Sequence, residues 1–330
     1  MILEKKYFTP QISTLSHNLP LTLIFLKEWS LIKFTGTDIL QYLQGQLTCN
    51  INNLTKNFYN LTAYCNPKGK LISSMYIFYL KTGIGCIQRL SICHKQVTLM
   101  KKYAIFSKIN IIIDNETIFL GFAGQGARST LNLLFDKLPN EKKKIIYYKD
   151  STILHFNLPK ERFLILTNKK IKDSLTKKFK NKINFSYDNQ WNILDIEAGY
   201  PIIDSNTSEL FLPQETNIQN FNAISFNKGC YIGQEIITRM QFKGIHKRKL
   251  YLLFGKISRV PLSGEKLEYK KNTNNHWTIA GTILSACALN QGTVWIQAIL
   301  NSSLKKNTIF RLHNSKKDNQ ITIHSSCMQN

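Results

Sequence analysis

The rhythm of apolar runs changes twice along this chain, and those two breaks limit its architecture more than any single motif. Thr117–Tyr187 reads strand, helix, three strands, helix, strand: 118–122, 127–138, 145–148, 152–157, 163–167, 171–180 and 183–187. This is close to a β-α-β-β-α-β ferredoxin-like order with one extra strand. From Lys249 onward only short β runs remain, at 250–254, 266–269, 278–285, 293–299, 309–312 and 321–324, separated by Pro, Gly and Asn. Such spacing predicts a small antiparallel barrel or sandwich. Before Thr117, Leu31–Gly36 is a short apolar segment. Thr37 is placed as the N-cap of a helix that carries Ile39, Leu40 and Leu43 on one face. Leu61–Cys65 and Leu71–Leu80 read as strands joined at Asn66-Pro67-Lys68-Gly69, where Pro sets the turn and Gly ends it. A helix at Val97–Phe106 and a strand at Lys108–Ile113 complete that stretch. The expected class is α+β.

Length and composition narrow the functional classes. The 330 residues suit two or three domains, and 43% hydrophobic content is enough for sizeable cores. No apolar run is long enough for a membrane helix, and Met1–Pro10 lacks a signal-peptide core. A cytoplasmic protein without membrane contact is expected. Seven scattered cysteines, an odd number without a CxxC pair, argue against a disulfide framework or a dedicated zinc site. Cys86, Cys93 and His94 are close in sequence but have no second ligand cluster. The net charge of +24 favours anionic partners, nucleic acid among them, and is equally what a chain biased toward Lys, Asn and Ile would show.

Two glycine clusters are candidates for chemistry. Gly121-Phe122-Ala123-Gly124-Gln125-Gly126 follows a strand and opens a helix, but its spacing is not that of a dinucleotide loop, so a tight turn is the better reading. Residues 228–235 are Lys228, Gly229, Cys230, Tyr231, Ile232, Gly233, Gln234 and Glu235, followed by an apolar helical run. Two readings of Cys230 stand here. One is a reactive thiolate favoured by a helix N-terminus and nearby cations; the other is a small buried thiol in a tight turn.

The string KGCYIGQE resembles the signature of the YgfZ family. Collinear matches extend this resemblance over nearly the whole chain: QGQLT at 44–48, PKGK at 67–70, KKYAIFSK at 101–108 and NILDIEAGYP at 192–201. Residues 319–330 match poorly. The resemblance implies a three-domain ring like that of the glycine-cleavage aminomethyltransferase. The expected division is a folate-binding first domain at 20–116 plus 190–242, a ferredoxin-like domain at 117–189 and a C-terminal β-barrel at 243–330. It implies folate (tetrahydrofolate or a derivative) as ligand, bound by Trp29, Trp191 and Glu197. Lys228, Arg239, Lys243 and Arg248 are basic candidates for the glutamate tail. It also implies an accessory role in tRNA thiolation through iron–sulfur tRNA-modifying enzymes, rather than turnover. A folate-dependent one-carbon transferase with Cys230 as nucleophile or acceptor, and a direct tRNA-binding protein, are the rivals.

Overall fold

The computed structural model describes residues 12–244, 247–270, 276–289, 292–315 and 320–324. Among these residues, seventeen strands fall into two open sheets and one closed barrel. In chain order the first elements are β1 (Thr22–Leu26), β2 (Trp29–Gly36), α1 (Ile39–Gln46), β3 (Asn60–Cys65), β4 (Leu71–Tyr79), β5 (Ile84–Arg89), α2 (Leu90–Tyr103) and β6 (Ile109–Asp114). The strands β3-β4-β5-β2-β6 form a five-stranded antiparallel sheet. The chain continues through β7 (Ile118–Ala123), α3 (Ala127–Asn132), β8 (Ile145–Tyr148), β9 (Ser151–Phe156), β10 (Arg162–Thr167), α4 (Lys169–Phe179) and β11 (Asn184–Tyr187). These strands build a six-stranded sheet ordered β11-β1-β7-β10-β9-β8.

That order departs from the expected division at 20–116. Strand β1 pairs parallel with β11 and antiparallel with β7, so residues 22–26 belong to the middle sheet while β2 begins the first one. Its burial explains the choice: Leu23 and Ile24 are fully buried, one on each side of the sheet, and Leu23 joins the helix-covered core with Leu120, Phe122 and Phe163.

After α5 (Asp188–Ala198) and α6 (Gln234–Lys243) come β12 (Arg248–Lys256), β13 (Lys266–Lys270), β14 (Trp277–Ala288), β15 (Thr293–Asn301), β16 (Phe310–Leu312) and β17 (Gln320–Ile323). They close into an antiparallel barrel in the order β12-β15-β14-β13-β16-β17, with its own core of Leu253, Leu267, Ile283, Ile296 and Phe310. Closure removes the open sheet edge that a flat arrangement would expose. A mixed fold with a C-terminal antiparallel barrel is therefore what the chain adopts.

Several local expectations shift. Helix α2 starts at Leu90, because Ile92, Cys93, Gln96, Val97 and Met100 recur at helical spacing and are buried. Helix α3 stops at Asn132, although Phe135 and Leu138 beyond it remain in the core. Asp38, not Thr37, occupies the N-cap of α1, and the Thr37 hydroxyl donates to the Asp38 carboxylate. Gly121 lies inside β7 rather than in a loop, and a Cβ there would meet the Trp191 ring at 2.6 Å.

Helix α5 is the hub. Nearly every residue from Asp188 to Ile196 is buried, and the helix touches β1 and β11 of the middle sheet and β14 and β15 of the barrel. An element buried on all sides must have its polar groups paired. Asp188 accepts from the backbone N–H groups of Lys27 and Glu28, Gln190 exchanges hydrogen bonds with the backbone of Thr14, and Asn192 accepts from Arg89.

Candidate functional site

One face of α5 grips a single guanidinium. Trp191 and Asp195 are four residues apart and share that face. Arg162, at the start of β10, donates from Nη2 to Asp195 Oδ1 at 2.6 Å, and its guanidinium carbon lies 4.4 Å from the centroid of the Trp191 ring. Phe156 and Tyr200 flank the same guanidinium at 5.5 and 5.9 Å. Burial pushes the Asp195 carboxyl above its usual range even against the Arg162 charge. The Arg162 Nη1 group is buried with no hydrogen-bond partner.

Aromatic side chains above this pair wall a cavity of about 410 Å³ lined by Phe58, Tyr59, Tyr76, Tyr200 and Phe221. Tyr200 and Phe221 lie 4.4 Å apart with their planes tilted by 36°, and Tyr76 meets both Tyr59 and Tyr200 edge-on. Lys144 and the amides of Asn53, Asn157 and Asn222 supply polar atoms. A pocket of about 30 Å³ shares Leu61, Tyr76 and Tyr200 with it and is also lined by Trp29, Gln88 and Asp195. Trp29 Nε1 and both polar atoms of the Gln88 side chain are buried there without partners. This small space holds about one water molecule, whereas the larger one admits a flat bicyclic ring. A further cavity of about 880 Å³ lies against Gly124–Ser129 and Lys160–Arg162, but no Trp, Tyr or Phe lines it.

The expected site residues are thus not gathered at one wall. Trp29 borders the small pocket. Trp191 is 1% exposed and packs against Gly121, Phe156 and Arg162 beneath the cavity rather than facing it. Glu197 lines neither the aromatic cavity nor the small pocket but borders a separate cavity of about 180 Å³ that shares Phe221, and its carboxylate accepts from the backbone N–H and hydroxyl of Ser16 at 2.9 and 2.7 Å. Of the basic candidates, Arg239 and Lys243 are exposed, and Arg248 pairs with Glu215 at 3.3 Å. Sequence reasoning missed Tyr76, Tyr200, Phe221, Gln88 and the Arg162–Asp195 pair. Asp195 and Tyr200 stand inside the NILDIEAGYP segment, where a buried-helix pattern was the available signal.

The signature loop forms a second assembly. Lys228 Nζ donates to the backbone carbonyls of Leu47 and Cys49 at 2.8 and 2.7 Å and lies 5.1 Å from the Tyr231 ring centroid. Burial pushes its pKa down to about 8. The Gln234 side chain closes the loop on itself, accepting from Tyr231 N–H and donating to the Lys228 carbonyl. Ile232 N–H donates to the Gly45 carbonyl of α1. Gly233, with φ of +79°, caps α6, and Glu235 lies exposed in that helix's first turn. Cys230 is exposed while Cys49, Cys65, Cys86, Cys93 and Cys287 are buried, so the reading of Cys230 as a buried thiol fails. Cys230 lines none of the four cavities above.

Comparison with known proteins decides the lineage. The chain is 43% identical over 324 residues to the tRNA-modifying protein YgfZ of Blochmanniella pennsylvanica (strain BPEN), covering 96% of this chain and 98% of that one. The chain belongs to the YgfZ family. The YgfZ β-barrel domain description matches residues 246–315. The tRNA-modifying protein YgfZ of Yersinia pseudotuberculosis serotype O:1b (strain IP 31758) is 44% identical over 92% of each chain. Among solved structures, the glycine cleavage system aminomethyltransferase T from Bartonella henselae superposes with a TM-score of 0.71 at 14% identity, over 93% of this chain and 86% of that one. The YgfZ-family chain therefore shares the aminomethyltransferase fold. Among its described residues, no helix is long and apolar enough to cross a membrane.

Proposed function

We propose that this YgfZ-family chain is a folate-binding factor that supports tRNA modification by serving iron–sulfur enzymes that thiolate tRNA. The observation that carries the folate reading is the aromatic cavity of about 410 Å³ at Tyr59, Tyr76, Tyr200 and Phe221. A pterin is flat, has a hydrogen-bonding amide edge and bears an anionic tail; aromatic walls, asparagine amides and Lys144 suit each part in turn. Bound reduced folate would supply a one-carbon carrier. The tRNA role is supported by relatives named tRNA-modifying proteins.

The rival reading, one-carbon transfer onto Cys230, is weakened by the absence of that thiol from the cavity lining. An accessory factor does not need the two to meet. The test is titration with tetrahydrofolate, read by tryptophan fluorescence. Trp29 shares Tyr76 and Tyr200 as neighbours with the cavity, so quenching is expected in the native chain and is expected to vanish in Tyr200→Ala/Phe221→Ala. Unchanged emission of the native chain at millimolar tetrahydrofolate sinks the folate reading. Normal tRNA thiolation in cells lacking the protein altogether sinks the accessory role.

A further inference from the structure

The segment Lys101–Lys108, KKYAIFSK, carries part of the family resemblance, yet none of its residues lines a cavity described above. Its large apolar side chains face solvent, whereas Ala104 packs against the core. Phe106 is 99% exposed and Ile105 74%, and Tyr103 and the neighbouring Leu40 of α1 are nearly half exposed. Single exposed apolar residues are ordinary; four on adjoining elements are not.

The loop that presents them is held from both sides. Ala104 N–H donates to the Lys101 carbonyl and Ser107 N–H to the Ala104 carbonyl, so it runs through two consecutive turns. Tyr42 of α1 donates its hydroxyl to the Met100 carbonyl at 2.6 Å, and Lys108 N–H donates to the Asp38 carboxylate at 2.8 Å. Phe106 is thus displayed by a fixed backbone, which lowers the entropy cost when a partner stacks on it.

Lys101, Lys102 and Lys108 are exposed around these aromatics, and none of the three forms an ion pair among the described residues. The carboxylate that touches the loop, Asp38, is already occupied by Lys108 N–H and the Thr37 hydroxyl. Helix α1 leads from there to the signature loop, since Ile232 N–H donates to the Gly45 carbonyl near its far end. Eight helical residues span about 12 Å, so the aromatic loop and the loop bearing exposed Cys230 adjoin opposite ends of one short helix.

We infer that this face binds RNA. Unpaired bases stack on Phe106 and Tyr103, Lys101, Lys102 and Lys108 neutralise the adjoining phosphates, and the strand runs beside α1 toward Cys230. Exposed aromatics interleaved with cations are the chemistry of single-stranded nucleic-acid recognition. The net charge of +24 favours a polyanion over an apolar protein surface. The choice of tRNA as the RNA rests on the function proposed above.

The experiment is fluorescence anisotropy of a labelled tRNA transcript across a range of salt concentrations. It uses the native chain, Tyr103→Ala/Phe106→Ala and Lys101→Glu/Lys102→Glu. All four side chains are exposed, and matching thermal melts verify that the variants are folded. The aromatic pair is expected to weaken binding about tenfold or more, as removal of a stacking platform does. The lysine pair is expected to flatten the log–log salt dependence by about 0.7 for each phosphate no longer neutralised. Affinity of the aromatic pair within twofold of native overturns the inference. So does displacement of tRNA by polyglutamate at equal charge concentration, which points to an acidic protein partner instead. Tetrahydrofolate titration of the same variants separates the two readings. Variants that lose tRNA binding while keeping normal quenching support this surface, whereas a native chain that binds tRNA without any quenching leaves this surface standing and removes the folate site.

Discussion

Gly69 and Gly233 sit back to back. Both have positive φ, +71° and +79°, and a Cβ on Gly233 would lie 2.8 Å from the Gly69 Cα and 2.6 Å from the Asn66 carbonyl oxygen. The PKGK turn and the KGCYIGQE loop, far apart in sequence, therefore meet in space. Each string depends on the other, because the backbone of one fills the room a side chain on the other would take.

Gly233→Ala therefore combines a backbone conformation that alanine avoids with close approaches that cannot relax cheaply. It is expected to cost about 2 kcal/mol or more in urea denaturation. Gly229→Ala is the control: nothing lies within 4 Å of its Cβ position, and stability should stay within about 0.5 kcal/mol of native. Equal destabilisation at the two positions would contradict the packed-turn account.

Cys230 should be the first described cysteine to alkylate. Burial pushes the thiols of Cys49, Cys65, Cys86 and Cys287 up, and each is shielded from reagent. Iodoacetamide at neutral pH followed by peptide mass spectrometry should find Cys230 modified while those four are intact. Cys230→Ser should melt like the native chain, because an exposed side chain beside Gly229 supports no core. It should also abolish support of tRNA thiolation; full support from the serine variant would make the thiol dispensable.

Removing one member of the Arg162–Asp195 pair leaves the other buried and unpaired. Arg162→Met and Asp195→Leu are each expected to cost about 3–5 kcal/mol. The double variant should cost less than the sum, since neither charge is then stranded. Additive effects in urea melts would show that the two groups act independently.

Stability should fall in acid through a second network. Burial pushes the Glu161 carboxyl up, but hydrogen bonds and charge from Arg128 and His155 outweigh it and hold its pKa below the ordinary 4.5. The stabilisation is complete above 4.5 and disappears as pH falls through the lower native value. His155 works in the same direction, because burial lowers its pKa from 6.5 and the cost of protonating it in the folded state appears below that pH. Melting temperature should therefore decline progressively from pH 6.5 downward, and Glu161→Gln should flatten the part below 4.5. An unchanged profile in that variant would remove Glu161 from the account.

Most strands were legible as short apolar runs, buried on both faces in β3, β4, β10 and β15, between turns that carry Gly, Pro and Asn; the barrel from β12 to β17 follows the expected runs almost run for run, whereas β1 and β5 were not read as strands. Helix α2 was clipped because Gln96 and Cys93, polar or small, hide a buried face. The cavity was less visible. Tyr59, Tyr76, Tyr200 and Phe221 come from four separate places in the chain, and only folding brings their rings together. The two tryptophans were found by family likeness, which gives neighbourhood but not orientation. Whether a ring walls a cavity or sits beneath it depends on partners such as Gly121 and Arg162, which no local pattern names.

Strand β1 carries a consequence for how the chain is made. It lies between β7 and β11, and β11 begins at Asn184. At roughly 5–20 residues per second, a ribosome needs on the order of ten seconds or more to deliver that neighbour after β1 emerges. Throughout that interval the whole five-stranded sheet, residues 29–114, can assemble while five apolar or small residues just upstream wait for the second of their two neighbours. The nascent chain thus finishes its second sheet by reaching back past its first, and no cut between them yields two self-sufficient pieces.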